Sequence, residues 1–230
     1  MTNIEDLKIE DLKIAVVGGT GEEGRGLALR WAMAGAQVTI GSRSADRAKE
    51  AADELNLVLG KASVGHAENG EAIRAADFVL LTVPFDHAAS TLEAHRDDFK
   101  EGAILIDITV PVVFEKGARY RRPVEGSASE HLRARLPESV ALVAAFKTEP
   151  AHLLLDPAAR LDCDTLVASD SKEAKARVIE AIGKIDGLRP VDAGTLYSAR
   201  TIERMTVMLI GLNRRYKVKT GRFRLLGLDE

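Results

Sequence analysis

Three glycines near the N-terminus have a spacing that brings a polypeptide backbone close to phosphate groups. The pattern G-x-G-x-x-G is matched by Gly19, Thr20, Gly21, Glu22, Glu23 and Gly24. In a dinucleotide-binding turn the first glycine permits a sharp bend, the second lets the backbone approach a pyrophosphate, and the third lets the next helix pack closely. Free N–H groups at the start of that helix bind the phosphate. The spacing predicts a dinucleotide site, with an ordinary tight glycine turn as the alternative.

The residues after the second apolar run indicate which dinucleotide is bound. An NAD-binding protein usually has Asp or Glu there, about 20 residues past the glycines, to bind the ribose 2′-hydroxyl. This chain has Ser42 and Arg43 instead, followed by Arg47 and Lys49. A hydroxyl, a guanidinium and further positive charge suit a 2′-phosphate. We therefore predict NADP as the cofactor, the alternative being that Arg43 is a solvated loop residue.

Glu22 and Glu23 place two negative charges inside the predicted phosphate-binding turn. A phosphate would repel both carboxylates unless their side chains point to solvent. We therefore predict that both do so, and that backbone N–H groups make the contacts to the pyrophosphate.

No set of side chains has the spacing of a hydrolytic or metal centre. The histidines are His66, His87, His95, His131 and His152, and neither H-E-x-x-H nor C-x-x-C occurs. Only His87 lies near the predicted groove. A histidine at this position is more commonly a residue at the start of a helix than a general acid. A reaction without a proton shuttle fits best, such as hydride transfer between two bound redox rings.

Apolar segments that alternate with helical patterns must position these residues. The apolar runs are residues 14–17, 38–40, 78–83, 103–108 and 140–146. Buried runs at this rhythm are typical of a parallel sheet with helices on both faces. The sequence predicts an α/β fold, a Rossmann-type doubly wound parallel sheet with a small C-terminal helical or α+β appendage. We assign residues 1–150 to an NADP-binding domain and residues 151–230 to a smaller domain that closes the substrate groove.

Ligands of doubly wound sheets bind beyond the carboxyl ends of the strands. Two segments follow predicted strands, and they are Thr82, Val83, Pro84 and Thr109, Val110, Pro111. We predict that both segments line the cofactor groove, although a proline can also simply end a strand.

Three local assignments have weaker patterns. Residues 58–64 are a possible strand interrupted by Gly60, and residues 66–76 are predicted to be a short helix. Ser127 and Glu130 have the spacing of a capping box at the start of a further helix.

Two later segments are candidates for substrate binding and self-association. Residues 111–136 are predicted to form a long loop, whose basic cluster either binds an anionic substrate or is solvated. The cluster is Lys116, Arg119, Arg121 and Arg122. A helix over residues 196–213 has apolar residues on several sides, which predicts burial or pairing in a homodimer. The basic tail after it is predicted to be a strand or an extended arm.

Composition excludes several classes of protein. The net charge is -3 over 230 residues, so no basic excess indicates nucleic-acid binding. One cysteine, Cys163, excludes an intramolecular disulfide and is predicted to be a buried strand residue in a reducing compartment. The N-terminal segment lacks the apolar core of a secretory signal, and no apolar run reaches about 18 residues. A cytoplasmic location is expected.

Three motifs together resemble a known family, the NADPH-dependent reductases of the deazaflavin coenzyme F-420 (F420), or F420:NADP oxidoreductases. Residues 17–43 are similar to the family's VGGTGxxGxGLALRWAxxGxxVxIGSR, which related reductases of imines and ferric iron partly share. Residues 187–200 match the more specific GLRPVDAGxLxxAR, and residues 209–217 match LxxLNRRYK. The resemblance extends over residues 13–227.

This resemblance implies reversible hydride transfer between NADPH and F420, with the two rings stacked and without an obligatory proton donor. It implies that Thr20 contacts the phosphate region, and that Thr82, Val83 and Pro84 border the nicotinamide. Three residues are implied to hold the 2′-phosphate, and they are Ser42, Arg43 and Arg47.

Lys147 departs from the family pattern, because members often have His or Asn after the Ala-Phe pair at this point. The segment resembles the wall that faces the deazaflavin. Lys147 is therefore expected either to contact an anionic group of F420 or to reshape the pocket for another acceptor. One alternative function is NADP-dependent reduction of a small imine or carbonyl, with Lys147, Tyr197 or His87 as the proton donor. Another is a non-catalytic NADP sensor.

Overall fold

A computed structural model describes residues 8–228 of the chain. The N-terminal segment for which no secretory signal is predicted lies largely outside this part, as do residues 229–230. The strands are β1 (Lys13–Val17), β2 (Gln37–Ser42), β3 (Val64–Glu68), β4 (Phe78–Leu81), β5 (Ile104–Asp107), β6 (Val112–Phe114), β7 (Ala118–Tyr120), β8 (Ala141–Ala144), β9 (Cys163–Val167) and β10 (Leu188–Asp192). The helices are α1 (Glu22–Ala34), α2 (Ala45–Leu59), α3 (Asn69–Ala75), α4 (Phe85–Ala94), α5 (Ala128–Arg133), α6 (Ala151–Leu154), α7 (Lys172–Ile182) and α8 (Ala199–Tyr216).

Six strands form one parallel sheet in the order β3-β2-β1-β4-β5-β8. The chain moves outward from β1 to β3, then crosses to β4 on the other side of β1. The strand order therefore reverses between β1 and β4, and the carboxyl ends of these two strands border a crevice. The predicted doubly wound sheet is confirmed.

The central strands are buried on both faces, as the continuous apolar runs predict. Ile14 and Val16 of β1 belong to one apolar cluster, whereas Ala15 and Val17 belong to a second cluster on the opposite face. Trp31 of α1 is fully buried in the first cluster. Helix α1 ends at Gly35, as predicted, in the left-handed conformation that glycine favours. The apolar layers on both faces thus fix the position of the sheet, and with it the crevice at the carboxyl ends of β1 and β4.

The predicted strand over residues 58–64 is wrong. Val58 and Leu59 are the last residues of α2, and Gly60 caps that helix with a φ of 67°. The strand comes later, so His66 lies in β3 rather than in the predicted helix. The Asn56 side chain joins the helix to β3, since its Oδ1 accepts hydrogen bonds from Ser63 and Val64 N–H groups at 2.9 and 2.8 Å. A glycine inside an apolar run here marks a helix end.

The predicted loop over residues 111–136 contains an antiparallel hairpin, β6 and β7, before α5. The N-cap of α5 at Ser127 is confirmed, although the Glu130 carboxylate binds the Ser127 hydroxyl rather than the Ser127 N–H of a full capping box. Ser127 Oγ accepts a hydrogen bond from the Glu130 N–H at 3.1 Å and donates one to the Glu130 carboxylate at 2.7 Å. In residues 217–228 the tail has no strand, and it lies extended along β9, where the Asp164 N–H donates to the Phe223 carbonyl at 2.9 Å.

The C-terminal segment adds the parallel pair β9 and β10, which α7 connects, and then α8. An antiparallel bridge between Ala144 and Ala168 connects it to the end of β8. Cys163 is buried in β9, which confirms the prediction for this residue, and burial raises its pKa to about 12. No helix among residues 8–228 has the length and apolar character needed to cross a membrane. The domain division at residue 150 stays a prediction.

Candidate active site

The glycine turn after β1 is shaped by contacts that exclude side chains. Gly18 takes the bend, with a φ of 71°, and a Cβ there would lie 2.3 Å from Val83 Cγ1. A Cβ on Gly24 would lie 2.8 Å from Gly19 Cα, so α1 packs against the turn. A Cβ on Gly21 would meet nothing within 4 Å. The prediction assigned the bend to Gly19, one residue too late, whereas Gly21 faces open space wide enough for a ligand.

The N-terminus of α1 points its N–H groups at this open space. Gly21 is the N-cap and supplies no side-chain hydrogen bond, and the first bond of the helix runs from the Arg25 N–H to the Gly21 carbonyl at 2.9 Å. The preceding N–H groups therefore have no side-chain cap. Together with the helix dipole they fit an anion such as a pyrophosphate.

A groove of about 530 Å³ begins at this turn, and we call it the nucleotide groove. It brings together predicted site residues from three loops, namely Thr20, Gly21, Glu22, Glu23, Gly24, Ser42, Arg43, Arg47, Thr82, Val83 and Pro84. Arg43 and Arg47 are exposed at one end, beside the first turn of α2. The carboxyl end of β4 forms the other end. The Thr82 hydroxyl donates a hydrogen bond to the Val17 carbonyl at 2.8 Å, which links β4 to β1.

Asn69 is a groove residue that the sequence analysis missed. It is buried at the start of α3, and its Oδ1 accepts a hydrogen bond from the Gly18 N–H at 3.4 Å. A Cβ on Gly41 would lie 3.0 Å from the same oxygen. Asn69 therefore ties the glycine turn to the end of β2, but no local sequence pattern marks it.

A second groove of about 660 Å³ opens beside the first, and we call it the acceptor groove. Its apolar walls come from both halves of the chain and include Ile108, Val110, Phe114, Phe146, Leu209 and Ile210. Pro111, predicted to border the cofactor, lines this groove instead. Glu22, Glu23 and Pro84 line both grooves, so the two spaces meet there.

The ammonium group of Lys147 does not enter the acceptor groove. Its side chain has no exposed surface, and Nζ donates to Asp107 Oδ2 at 2.9 Å and to the Thr109 carbonyl at 2.6 Å. Glu203 Oε1 lies 3.5 Å from the same nitrogen. These partners balance the charge of the ammonium group inside the protein. The expectation that the ammonium group contacts an anionic group of F420 is therefore corrected, although Lys147 remains part of the groove wall.

Two carboxylates around Lys147, Asp107 and Glu203, connect four elements of the fold, β5, β7, α5 and α8, and sequence reasoning missed both residues. Asp107 ends β5 and also accepts a hydrogen bond from the Ser129 hydroxyl at 2.6 Å. Glu203 of α8 accepts hydrogen bonds from the Tyr120 hydroxyl at 2.7 Å and the Ala128 N–H at 2.9 Å. Burial raises the pKa of Glu203, and Lys147 opposes this shift. The pKa of Tyr120 is raised by burial and by the Glu203 carboxylate.

The two acidic residues of the turn differ in solvent exposure. Glu22 is exposed, as predicted, but Glu23 is not. Its Oε1 is buried and accepts no hydrogen bond from the described residues. Burial, followed by the charges of Glu149 and Glu22, raises the pKa of Glu23 well above its usual value. The prediction that both side chains point to solvent is wrong for Glu23, because its carboxyl group is buried.

The other proposed proton donors have different environments. His87 is exposed in the first turn of α4 and lines the nucleotide groove. Tyr197 is 65% exposed and packs against Arg200, whose guanidinium carbon lies 4.4 Å from the ring centroid. Tyr197 lines neither groove. Among residues 8–228, no cluster of three or more His, Cys, Asp or Glu side chains is arranged to hold a metal ion.

Comparison with known proteins agrees with this geometry. The family model described as NADP oxidoreductase coenzyme F420-dependent matches residues 13–111, from β1 to the acceptor groove. The F420-dependent NADP reductase of Methanothermobacter thermautotrophicus is 42% identical over 230 residues, covering 97% of this chain and 99% of that protein. The chain belongs to the F420-dependent NADP oxidoreductase family. The resemblance found in the sequence is confirmed.

Similarity to this family extends past the part that its model matches. The F420-dependent NADP reductase of Methanothermobacter marburgensis is 40% identical over 225 residues, covering 95% of this chain and 100% of that protein. A crystal structure of an Arthrobacter sp. FB24 protein has a TM-score of 0.79 at 24% identity, covering 93% of this chain and 99% of that one. The latter supports the fold alone. The family alignments thus include α8, which lines the acceptor groove.

Proposed function

We propose that this member of the F420-dependent NADP oxidoreductase family transfers a hydride between NADPH and coenzyme F420. NADP occupies the nucleotide groove and the deazaflavin occupies the acceptor groove. The observation that carries the proposal is the junction of the two grooves at Glu22, Glu23 and Pro84. Two rings bound there are close enough to react without a catalytic side chain between them.

Different residues of the nucleotide groove bind different parts of NADP. The N–H groups of α1 beyond Gly21 bind the pyrophosphate. Three side chains at the far end bind the 2′-phosphate, and these are Ser42, Arg43 and Arg47. Thr82, Val83 and Pro84 border the nicotinamide. These assignments rest on the groove lining and on the family motif.

The acceptor groove has an apolar interior and two cationic side chains at its edge, which suits a flat ring with an anionic substituent. Arg121, which follows the hairpin and forms an ion pair with Asp86, and the exposed Lys219 of the tail line this edge. We assign the anionic part of F420 to these residues rather than to Lys147. Residues 151–230, which supply α8 and the tail, form the smaller domain that closes the groove over residues 1–150.

Purified protein mixed with NADPH and oxidised F420 is expected to bleach the absorbance of the oxidised deazaflavin. Controls without NADPH or without protein keep that absorbance. No bleaching with both partners at saturation would refute the proposed function. Reduction of small imines or carbonyls, and non-catalytic sensing of NADP, are not favoured by the family relationship.

We also propose a homodimer formed through the exposed face of α8. Met208, Leu212 and Tyr216 follow one another at four-residue spacing and are 52, 39 and 70% exposed. We expect that Met208→Glu combined with Leu212→Glu weakens association at least about tenfold, because each carboxylate would have to be desolvated. Sedimentation velocity measures the change. Met33→Glu on the exposed part of α1 is the control, and monomeric wild-type protein at all concentrations would contradict the proposal.

A cytoplasmic location is part of the same proposal. The buried thiol of Cys163 and the redox cofactors of the family support it. Fractionation of cells that produce the protein is the direct measurement.

A further inference from the structure

Two carboxyl groups of the acceptor groove, one of them at the junction with the nucleotide groove, have no cation to balance them among the described residues. Glu23 is in the first turn of α1, and Glu149 is in the loop after β8. Both line the acceptor groove. Glu149 is 8% exposed, and its Oε2 accepts a hydrogen bond from the Thr148 N–H at 2.9 Å. The Oε1 atoms of Glu23 and Glu149 are both buried, and neither accepts a hydrogen bond from residues 8–228.

The surroundings of the pair favour its protonated form. Burial is the largest cause of a raised pKa in both residues, and Glu149 raises the pKa of Glu23 further. The Thr165 hydroxyl and nearby backbone N–H groups lower the pKa of Glu149 and so oppose the effect of burial. The other charged or titratable groups near the pair are Glu22, Asp86, Arg121, His152, Cys163, Lys219 and Lys147, whose ammonium group is paired with Asp107 and Glu203. Among the described residues, no Lys, Arg or His side chain lies within ion-pairing distance of either carboxyl group.

The arrangement of the nucleotide groove indicates which part of NADP meets this pair. The 2′-phosphate belongs at the end with Arg43 and Arg47, and the pyrophosphate belongs at Gly21 in the middle. The nicotinamide must then lie at the end where Pro84 and Glu23 open into the acceptor groove. The nicotinamide ring is the one part of NADP whose charge changes in the reaction, because it is neutral in NADPH and carries one positive charge in NADP⁺.

We propose that Glu23 and Glu149 form a carboxyl pair that holds a proton beside the neutral nicotinamide and releases it when the ring is positively charged. The proposal rests on the proposed function, because it needs NADP in the nucleotide groove. A cation next to a carboxyl group favours the ionised form, so the oxidised ring shifts the pair toward release. The pair then stabilises the charge that appears on the ring as the hydride leaves.

The proton balance of the reaction agrees with this role. Reduction of a deazaflavin by NADPH takes one hydride from the nicotinamide and one proton from elsewhere, giving NADP⁺ and the dihydro form. A pair that loses one proton to solvent as the ring becomes positive releases as many protons as the reaction consumes. The pair takes up a proton from water when NADP⁺ leaves. No covalent bond to Glu23 or Glu149 forms or breaks other than O–H.

Proton release on nucleotide binding tests the proposal without F420. Isothermal titration calorimetry in buffers of different ionisation enthalpy gives the number of protons released per nucleotide bound. We expect wild-type protein to release up to about one proton more with NADP⁺ than with NADPH. NADPH is the matched ligand, because both nucleotides carry the 2′-phosphate and would bind in the groove that His87 lines. Their difference therefore isolates the charge of the ring.

The sign of the pH dependence follows from the same linkage. A group whose pKa falls on binding releases a proton, so affinity rises with pH between the bound and free pKa values of the pair. The affinity of NADP⁺ relative to NADPH is expected to increase up to about tenfold per pH unit within that window, measured between pH about 5 and 9. Above the window the ratio becomes constant.

Glu149→Gln and Glu23→Gln keep the shape of each side chain but remove its titration. Either variant is expected to lose most of the difference in proton release, whereas Glu50→Gln on the exposed face of α2 keeps it. Equal proton release with NADP⁺ and NADPH in wild-type protein would overturn the proposal, as would an unchanged difference in both variants. Bleaching of F420 by wild-type protein is measured separately, so failure of this proposal is distinguishable from failure of the proposed function.

Discussion

Replacement of Lys147 by methionine is expected to lower the free energy of unfolding by about 3–5 kcal/mol. Lys147 is the buried cation between Asp107 and Glu203, and none of these three side chains has exposed surface. Methionine has a similar length and fills the space, so the loss comes mainly from two buried carboxyl groups without a cation. A buried charge that loses its partner costs far more than an exposed one.

Urea denaturation of Lys147→Met and wild-type protein measures this loss. The control is Lys49→Met, which removes an exposed ion pair with Asp53 on α2 and should change the free energy by no more than about 0.5 kcal/mol. Burial raises the pKa of Glu203 and Lys147 opposes this rise, so the pKa of Glu203 should rise further in the variant and protonation should relieve part of the cost. The destabilisation should therefore be smaller at pH about 5 than at pH about 8. Equal stability of Lys147→Met and the control would contradict a structural role for the ammonium group.

Replacement of Arg43 by aspartate is expected to weaken NADP binding by about 1.5–3 kcal/mol, roughly 10- to 150-fold, while hardly affecting NAD. Arg43 follows β2 at the end of the nucleotide groove, beside Ser42 and Arg47. A guanidinium there binds a 2′-phosphate with charge-assisted hydrogen bonds, which NAD cannot form. Aspartate removes this interaction and adds repulsion of the phosphate.

Titration of wild-type and Arg43→Asp protein with NADPH and with NADH shows whether the loss of affinity is specific to the phosphorylated nucleotide. Arg160→Asp, on an exposed loop outside both grooves, controls for the change in net charge. Its affinity for both nucleotides should remain close to that of wild-type protein. A similar loss of NADPH and NADH affinity in Arg43→Asp would refute the assignment of the 2′-phosphate to this residue.

The predictions that the structure bears out concern patterns of short range. The strand, glycine turn and helix over residues 13–34 follow from an apolar run, closely spaced glycines and a helical stripe, each contained within a few turns of chain. The N-cap at Ser127 is equally local. Errors arise where the same residue type occurs in two kinds of local structure. Gly60 ends a helix rather than interrupting a strand, and Gly18 rather than Gly19 takes the bend.

The roles of charged residues were harder to predict because burial depends on distant partners. Lys147 has the type and position of a residue that binds an anion, but Asp107, 40 residues earlier, accepts its hydrogen bond. Glu23 has the pattern of a solvated acid in a helix turn, yet its carboxyl group is buried and lies close enough to Glu149 for the two charges to interact. No periodicity or spacing encodes such pairs, since each requires two segments to meet across the sheet.

The sequence by itself determined the doubly wound parallel sheet, the glycine turn, the choice of a phosphorylated dinucleotide and the family. These features depend on the period of apolar residues and on motifs within a short stretch of chain. The tertiary structure alone decided that two grooves meet at Glu23, that Lys147 points into the protein, and that Glu149 lies beside a second acid. The physical reason is that the free energy of a charge depends on its solvent exposure and nearest charges, which folding brings together from distant parts of the chain.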